Sequence, residues 1–187
     1  LIDLIADGYV GDIVNVNVRV TDGSAFPDTD QDAHWRHLRD LSGNNVMTTG
    51  IWYENLIRLV GTASSVSANA QIVVPHRRNW DGTRAQMTIP DQIDVIYSLS
   101  GGGSVNLSVT TVSGTFGPST DLWIYGTEGT LHVQTHGLDN DPVVIGARKG
   151  DDAMSEITVP DDKRGGWRVE EEFINAIRGI EPITRSN

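Results

Sequence analysis

The chain has 187 residues, of which 38% are hydrophobic, and this length fits one domain with a sizeable core. Its 25 acidic and 14 basic residues give a net charge of -11, which repels phosphate backbones and anionic lipid surfaces, so neither nucleic acid nor a membrane is an expected partner. Cysteine is absent, which excludes disulfides and thiolate chemistry, and no apolar run approaches the roughly 20 residues of a membrane span; we therefore expect a cytoplasmic protein.

The first predicted elements are a short helix and a half-buried strand. Residues 1–7 place leucine and isoleucine on one helical face, and Gly8 follows as a stop, so we expect a helix that begins before Leu1 in a longer protein. The stretch DIVNVNVRV then alternates strictly, which is typical of a strand with one buried face. The residues expected toward the core are Val14, Val16, Val18 and Val20, and those expected on the other face are Asn15, Asn17 and Arg19.

A polar segment follows this strand. Residues 21–33 are predicted to form a loop, and residues 34–41 a short helical turn. Two residues of this turn, Trp35 and Arg36, are candidates to reach a substrate carboxylate or hydroxyl. An arginine beside aspartates is also found as a solvated ion-pair partner, so both interpretations stay open.

The stretch SGNNVMTTGIWYENLIRLVG, residues 42–61, is the central predicted element. Small and amide residues suit a helix cap at its start, apolar residues recur at intervals of three and four, and Gly61 ends it, so we expect a largely buried helix. Its inner turn also carries polar or polar-tipped side chains that a purely structural helix has little reason to hold. These candidate ligand-facing residues are Thr48, Trp52, Tyr53 and Asn55.

The rest of the chain is predicted to be mainly strands. Alternation predicts strands at 63–74, 93–99 and 104–112, two more around the turn in DLWIYGTEGTLHV, and edge strands at 142–147 and 156–159, with 76–87 as a loop. A final amphipathic helix has its stripe at Trp167, Val169, Phe173, Ile177 and Ile180. This order indicates an α+β fold with an open, mostly antiparallel sheet, helices packed on one face, and the other face covered by another subunit.

Other motifs give little support for specific chemistry. The spacing of Asp28, Asp30 and Asp32 imitates a calcium loop, but Ala33 and Arg39 stand where glycine and a bidentate glutamate are required. No metal site is expected, because the histidines, including His132 and His136, show no converging set of ligands. No G-x-S-x-G elbow supports a hydrolase. The loop around Trp80 carries Arg77, Arg78 and Arg84, which either clamp an anionic group or decorate a subunit contact.

Taken together, several stretches resemble the C-terminal domain of the glucose-fructose oxidoreductase and inositol dehydrogenase (Gfo/Idh/MocA) family. They are GYVGDIVNVNV, the turn with Trp35 and Arg36, SGNNVMTTGIWYENLIRLVG, SSVSAN and YGTEGTLHV, in that order. The resemblance implies that residues 1–187 form one substrate-binding and oligomerisation domain. It also implies that a Rossmann domain, absent from this chain, binds NAD or NADP in the full-length protein; no strand followed by G-x-G-x-x-G and a helix is present here.

The family's central helix usually reads G-x-H-x-x-D, with an aspartate slightly upstream. Here the glycine is Gly50, but Trp52 stands at the histidine position, Asn55 at the later aspartate and Thr48 at the upstream aspartate. Since indole cannot take up a proton near neutral pH, the family's acid and base assignment does not transfer to this helix. Tyr53, Glu54 or a residue of the other domain is left as the candidate proton-transfer group, and Tyr53 is our candidate within this chain.

The resemblance therefore predicts the substrate-binding and dimerisation domain of an NAD(P)-dependent oxidoreductase acting on a sugar, cyclitol or related polyol. The isolated domain is expected to be inactive, to bind no cofactor and to form a homo-oligomer, a dimer or tetramer, through its sheet face. The alternative is a non-catalytic ligand-binding or interaction domain that kept the fold and lost the acid and base residues. A third possibility is an unrelated carbohydrate-binding β domain, which would lack a helix at residues 44–60.

Overall fold

A computed structural model describes residues 1–21, 26–43, 46, 49–114, 118–137, 141–163 and 169–181 of the chain. Its helices are α1 (Ile2–Ala6), α2 (Arg39–Ser42), α3 (Thr49–Val60) and α4 (Val169–Ile177), with 3-10 turns at Trp35–His37 and Asp161–Lys163. Its strands are β1 (Ile13–Thr21), β2 (Ala63–Gln71), β3 (His76–Arg78), β4 (Arg84–Gln86), β5 (Gln92–Leu99), β6 (Ser104–Thr110), β7 (Thr120–Gly126), β8 (Gly129–Thr135), β9 (Val143–Arg148) and β10 (Ser155–Glu156). None of the helices in these ranges is long and apolar enough to cross a bilayer.

Eight of the strands form one mixed sheet in the order β10-β9-β8-β7-β1-β6-β5-β2. Every pair is antiparallel except β1 and β6, which run parallel in the middle of the sheet. The predicted α+β fold with a mostly antiparallel sheet is therefore confirmed. The insertion of β1 between β6 and β7 was not predicted, because the local alternation of a strand does not encode its distant partners.

The alternation predicted for β1 is correct except at its start. Val16, Val18 and Val20 are buried, whereas Val14 is 55% exposed. The pairing of β1 with β7 shifts register between Ile13 and Asn15, so the intervening Val14 falls outside the ladder. Such an irregularity turns a side chain away from the face that the simple period of two assigns to it.

The central helix is shorter and less buried than predicted. Helix α2 ends at Ser42, Gly43 follows with a φ of 65°, and α3 begins only at Thr49. A positive φ is incompatible with continuing a right-handed helix, so the predicted helix over 42–61 was wrong at Ser42 and Gly43, which end α2 instead. Residues 44, 45, 47 and 48 of the prediction lie outside the described residues. Leu56 is the buried residue of α3, and Ile51 is 63% exposed, so only one face of this helix contributes to the core.

The sheet and α3 enclose the core of the unit Leu1–Glu156. One face of the sheet carries the buried valines, leucines and isoleucines of β1, β5, β6, β7 and β8. The β7–β8 turn packs against residues 8–11, and a Cβ atom at Gly126 would overlap the carbonyl oxygen of Val10. Glycine is therefore required at the end of β7 because the backbone of another segment approaches it closely.

Two further parts differ from the prediction. The segment 76–87, predicted as a loop, contains the antiparallel pair of β3 and β4. The unit Ile157–Asn187 contains α4, a shorter helix than the predicted one, and Phe173, Ile177 and Ile180 of the predicted apolar stripe are 64%, 68% and 67% exposed. Trp167 lies outside the described residues.

Candidate functional site

The inner side of α3 places an aromatic pair against β5. Tyr97 lies on the buried face of β5 and is 2% exposed. The ring of Tyr53, which is 37% exposed, meets it edge to face, with ring centroids 5.8 Å apart and an interplanar angle of 84°. Such a pair contributes about 0.5–1.5 kcal/mol beyond its area burial. Tyr53, the candidate proton-transfer residue, thus lies at the border between the core and solvent.

One buried hydroxyl group on α3 and one on β5 have no hydrogen-bond partner among the described residues. They are the hydroxyl of Tyr97 and Oγ1 of Thr49. Thr49 precedes Tyr53 by one helical turn and so lies on the same side of α3. A buried hydroxyl without a partner costs about 1–3 kcal/mol, so each group favours a ligand or water that supplies a hydrogen bond.

The environment of Tyr97 keeps its phenol protonated. Burial, followed by the neighbouring Tyr53, raises the pKa of Tyr97 from 10.0 to about 12. Tyr97 therefore retains its proton at neutral pH and can donate a hydrogen bond, but it is a weak acid for proton transfer.

The sequence contains a signal for Tyr97 that periodicity alone does not reveal. The inward-facing residues of β5 are otherwise aliphatic: Ile93, Val95 and Leu99. A tyrosine in such a stripe brings a polar tip into an apolar layer, and that tip usually needs a partner. Thr49 gave no comparable signal, because threonine in the first turn of a helix is common as a capping residue.

The two candidates near residue 35 form a pair of their own. Arg36 places its guanidinium carbon 4.2 Å from the centroid of the Trp35 ring, a cation–π geometry. Trp35 is 45% exposed and Arg36 is exposed. In the described ranges, no hydrogen bond, ion pair or ring contact joins this pair to α3.

The family of this domain is shown by a match that covers most of the chain. The family model of the GFO/IDH/MocA C-terminal domain matches residues 1–132. The chain belongs to this family. Among curated proteins, none matches it in sequence.

Solved structures share the fold of this GFO/IDH/MocA domain at low sequence identity. An NAD binding oxidoreductase from Klebsiella pneumoniae has a TM-score of 0.73 and 19% identity, over 83% of this chain and 42% of that protein. Levoglucosan dehydrogenase in complex with NADH and L-sorbose has a TM-score of 0.68 and 21% identity, over 84% and 42%. A super-repressor mutant of Gal80p from Saccharomyces cerevisiae has a TM-score of 0.71 and 16% identity, over 95% and 50%. The chain thus spans half or less of the length of these proteins.

Helix α3 of the GFO/IDH/MocA domain holds the remaining sequence candidates in different environments. Trp52, at the family's histidine position, is half-buried, and Asn55 is exposed. Glu54 is directed into an exposed ion pair, where its carboxylate accepts a hydrogen bond of 2.7 Å from Arg58. Thr48 lies outside the described residues. Tyr53 is therefore the candidate whose described contacts lead to the buried hydroxyls.

The sheet face opposite α3, which we call the open face, is polar at its centre. The side-chain amide of Asn106 donates to Asn17, Asn17 donates to Asn15, and Asn15 donates to the hydroxyl of Ser104, at 2.7, 2.7 and 2.9 Å. This ladder fits the prediction of an amide-rich outer face for β1. Each of the three amides donates a hydrogen bond within the ladder, which lowers the cost of covering these groups with another surface.

An aromatic row on β7 and β8 lies beside this ladder. Trp123 stacks on His132, with centroids 3.7 Å apart, and on Tyr125, with centroids 5.7 Å apart. Nε2 of His132 shares a hydrogen bond with the carboxylate of Asp121. A depression of about 350 Å³ between the row and the ladder is lined by Asn17, Arg19, Asp94, Ile96, Asn106, Ser108, Asp121 and Trp123, with Val18, Val95 and Leu107 at its base.

The three arginines around Trp80 do not share one site, because Arg78 and Arg84 are paired across β3 and β4 whereas Arg77 alternates to the other face of this hairpin. Arg77 is 4% exposed, whereas Trp80 at the end of the hairpin is 95% exposed. Arg78 pairs with Asp32 at 2.8 Å, and Arg84 contacts Nδ1 of His76 at 2.9 Å. Arg77 is therefore not part of a surface clamp, while the two interpretations of Arg78 and Arg84, an anion clamp and a subunit contact, stay predictions.

Arg77 instead belongs to a polar cluster in which Arg77 and Asp91 are buried, His37 is half-buried and Gln31 is exposed. Its guanidinium donates to the side-chain oxygen of Gln31 at 2.9 Å and lies 4.0 Å from the carboxylate of Asp91, at the outer limit of an ion pair. That carboxylate accepts much shorter bonds from the backbone N–H groups of Val73 and Val74, at 2.6 and 3.0 Å. The cluster joins the segments before β3 and β5.

Acidification is expected to destabilise the domain through His37. Burial, then Arg77 and His34, lower the pKa of His37 from 6.5 to about 4. The unfolded chain therefore binds a proton at His37 as the pH falls below about 6.5, while the folded chain does not until about pH 4. Stability falls across this window, by about 2 kcal/mol. Urea unfolding between pH 7 and 4 measures the loss.

His37→Gln provides the comparison for this experiment, since glutamine keeps polarity but does not titrate. The pH dependence of its free energy of unfolding is expected to be shallower than that of the parent over the same window. Equal slopes for the two proteins would show that other groups cause the acid sensitivity.

Proposed function

We propose that this chain is the substrate-binding and subunit-pairing domain of an NAD(P)-dependent oxidoreductase that acts on a sugar, cyclitol or related polyol. Membership of the GFO/IDH/MocA C-terminal domain family supports the assignment. The carrying observation in the structure is that Tyr97, which Tyr53 contacts, and Thr49 on α3 hold buried hydroxyls without partners among the described residues, which suits a ligand rich in hydroxyl groups. Absence of cysteine supports a cytoplasmic location.

Structural relatives support the substrate class. Levoglucosan dehydrogenase has been solved with NADH and levoglucosan and with NADH and L-sorbose, both polyhydroxylated compounds. We extend this class to the present chain, with Trp52 as an aromatic surface for a sugar ring and Tyr53 as the candidate proton-transfer group. Trp35, Arg36, Thr48 and Asn55 complete the proposed substrate-binding set.

The described residues do not fit a dinucleotide. The glycine triplet Gly101–Gly103 forms the β5–β6 turn, and a Cβ atom at Gly103 would overlap the carbonyl oxygen of Ile13. Its glycine thus accommodates this chain's own backbone rather than a pyrophosphate group. In our proposal the cofactor is held by a separate Rossmann domain, and the isolated domain is inactive.

The open face is proposed as the surface that pairs two copies of this chain. Its amides are linked to one another by hydrogen bonds, and its aromatic row matches the composition of subunit interfaces. Arg19 lies in the same depression as Asp94 and Asp121. In a twofold arrangement, the arginine of one copy can meet a carboxylate of the other, so the face is complementary to itself.

Activity of the full-length protein tests the proposed function. Reduction of NAD⁺ or NADP⁺ would be followed by absorbance. The candidate substrates are levoglucosan, D-glucose, myo-inositol and the hexitols formed by reducing L-sorbose. We expect turnover with at least one compound, and Tyr53→Phe to lower kcat by at least about 100-fold if Tyr53 transfers the proton. Turnover of the variant Trp52→His, which restores the family's histidine, would be measured in the same assay.

A different outcome would favour a non-catalytic ligand-binding domain. That alternative rests on Thr48, Trp52 and Asn55, which replace three ionisable groups of the family pattern. Binding of a polyol without turnover by the parent protein would support it and exclude the oxidoreductase. Turnover that survives Tyr53→Phe unchanged would retain the oxidoreductase and exclude Tyr53 as the proton-transfer group.

A further inference from the structure

We infer that Tyr97 forms part of the substrate-binding site: its hydroxyl donates a hydrogen bond to one oxygen atom of the polyol when the ring of Tyr53 turns aside. We call this position the Tyr97 subsite. The inference rests on the proposed function, since it names the atom that would recognise this substrate class. Nothing in the sequence pattern of α3 identifies Tyr97, which lies on β5. It emerges from burial and contacts alone.

The first argument is the missing partner of Tyr97. The side chain is 2% exposed, and its hydroxyl finds no hydrogen-bond partner in the described part of the chain. A phenylalanine would pack equally well in this aliphatic stripe without the cost of an unpaired hydroxyl. An oxygen retained at this cost is better explained by a partner that the chain itself does not supply.

The second argument concerns access. The ring of Tyr53, which is 37% exposed, packs edge to face on Tyr97, so at least one neighbour of the buried Tyr97 ring borders solvent. Tyr53 is held there by an edge-to-face contact, and its own hydroxyl makes no hydrogen bond within the described ranges. Rotation of the Tyr53 side chain away from Tyr97 thus breaks one ring contact. In exchange, the ligand forms a hydrogen bond with the Tyr97 hydroxyl, which has no other partner among the described residues.

The third argument is the second unpaired oxygen on the same side of α3. Oγ1 of Thr49 is buried and lacks a partner among the described residues, one helical turn before Tyr53. Thr49 both donates and accepts, whereas the protonated phenol of Tyr97 is suited to donate. Together they match the vicinal hydroxyls of a sugar or cyclitol, which offer acceptors and donors at adjacent carbon atoms.

The test is a double-mutant cycle between Tyr97→Phe and removal of single hydroxyls from the ligand. Binding of D-glucose, myo-inositol and their monodeoxy analogues to the full-length protein would be measured by calorimetry. We expect Tyr97→Phe to raise the Kd of a bound polyol about 10-fold, and one deoxy analogue to show the same loss with the parent but no further loss with the variant. The control is Tyr9→Phe, since Tyr9 lies outside the site and faces Arg148.

Thermal unfolding separates a ligand role from a structural one. If the hydroxyl lacks a protein partner, Tyr97→Phe keeps or raises the Tm; a clearly lower Tm would show an internal partner and overturn the subsite. Equal Kd values for the parent and Tyr97→Phe would overturn it while leaving the proposed function intact. Failure of every polyol to bind the parent would instead reject the proposed substrate class, and the subsite with it.

Discussion

Replacing Asp91 with alanine is expected to lower the free energy of unfolding by about 3–5 kcal/mol, because it leaves Arg77 as a buried charge without its carboxylate. Asp91 and Arg77 are 3% and 4% exposed. The same change removes the acceptor of the Val73 and Val74 N–H groups, which then lie beside an apolar methyl. Urea unfolding followed by tryptophan fluorescence, with the m value checked for constancy, measures the loss.

Asp32→Ala is the matched control, because Asp32 also pairs with an arginine. Its partner Arg78 lies at 2.8 Å, closer than Arg77 lies to Asp91, yet the side chains of Arg78 and Asp32 are 55% and 71% exposed. Solvent screening makes exposed pairs weak, so we expect a much smaller loss than for Asp91→Ala. Similar losses for the two variants would contradict the importance of burial at the Arg77 cluster.

The second large effect is expected on self-association. Ile96→Glu should weaken the proposed dimer of the full-length protein about 100-fold, since it places a carboxylate beside Asp94 in the depression of the open face. Ile96 is 59% exposed, so the change is not expected to disturb the fold. Sedimentation velocity over a range of protein concentrations gives the dissociation constant.

Ile2→Glu serves as the comparison, because it makes the same chemical change at a similar exposure of 55%. Ile2 belongs to α1, which contacts α3 on the other side of the sheet. It should leave self-association unchanged. A monomeric parent protein at micromolar concentration, or equal effects of the two variants, would remove the open face as the pairing surface.

Local sequence signals predicted the elements of this fold better than their arrangement. Alternation identified β1 and the β5–β6 hairpin because each strand's periodicity is contained in its own residues. The start of α3 was missed because Gly43 was treated as part of a helix cap, although its positive φ separates α2 from α3. The neighbours of β1 were not predictable, since pairing depends on contacts across the sheet.

In the candidate site, too, local residues were predicted better than contacts between distant segments. Tyr53 could be selected from the sequence because it follows Trp52, which stands at the family's histidine position on the predicted helix. Tyr97 is marked in the sequence only as a tyrosine in an aliphatic stripe, because its proposed role depends on an edge contact between α3 and β5 and on a hydroxyl that has no partner among the described residues. The Arg77 cluster was similarly hidden, since Gln31, Arg77 and Asp91 lie far apart in sequence. Burial of polar groups becomes visible only when the segments are assembled.

The central position of β1 has a consequence for biosynthesis. Both strands that flank it come much later in the chain, and Asn15 is 89 residues before Ser104, its neighbour on β6. At translation rates of about 5–20 residues per second, β1 waits on the order of ten seconds before its partners emerge from the ribosome. During that interval its valines and unpaired backbone are open to other chains, so nascent chains ending before β7 should be favoured clients of chaperones.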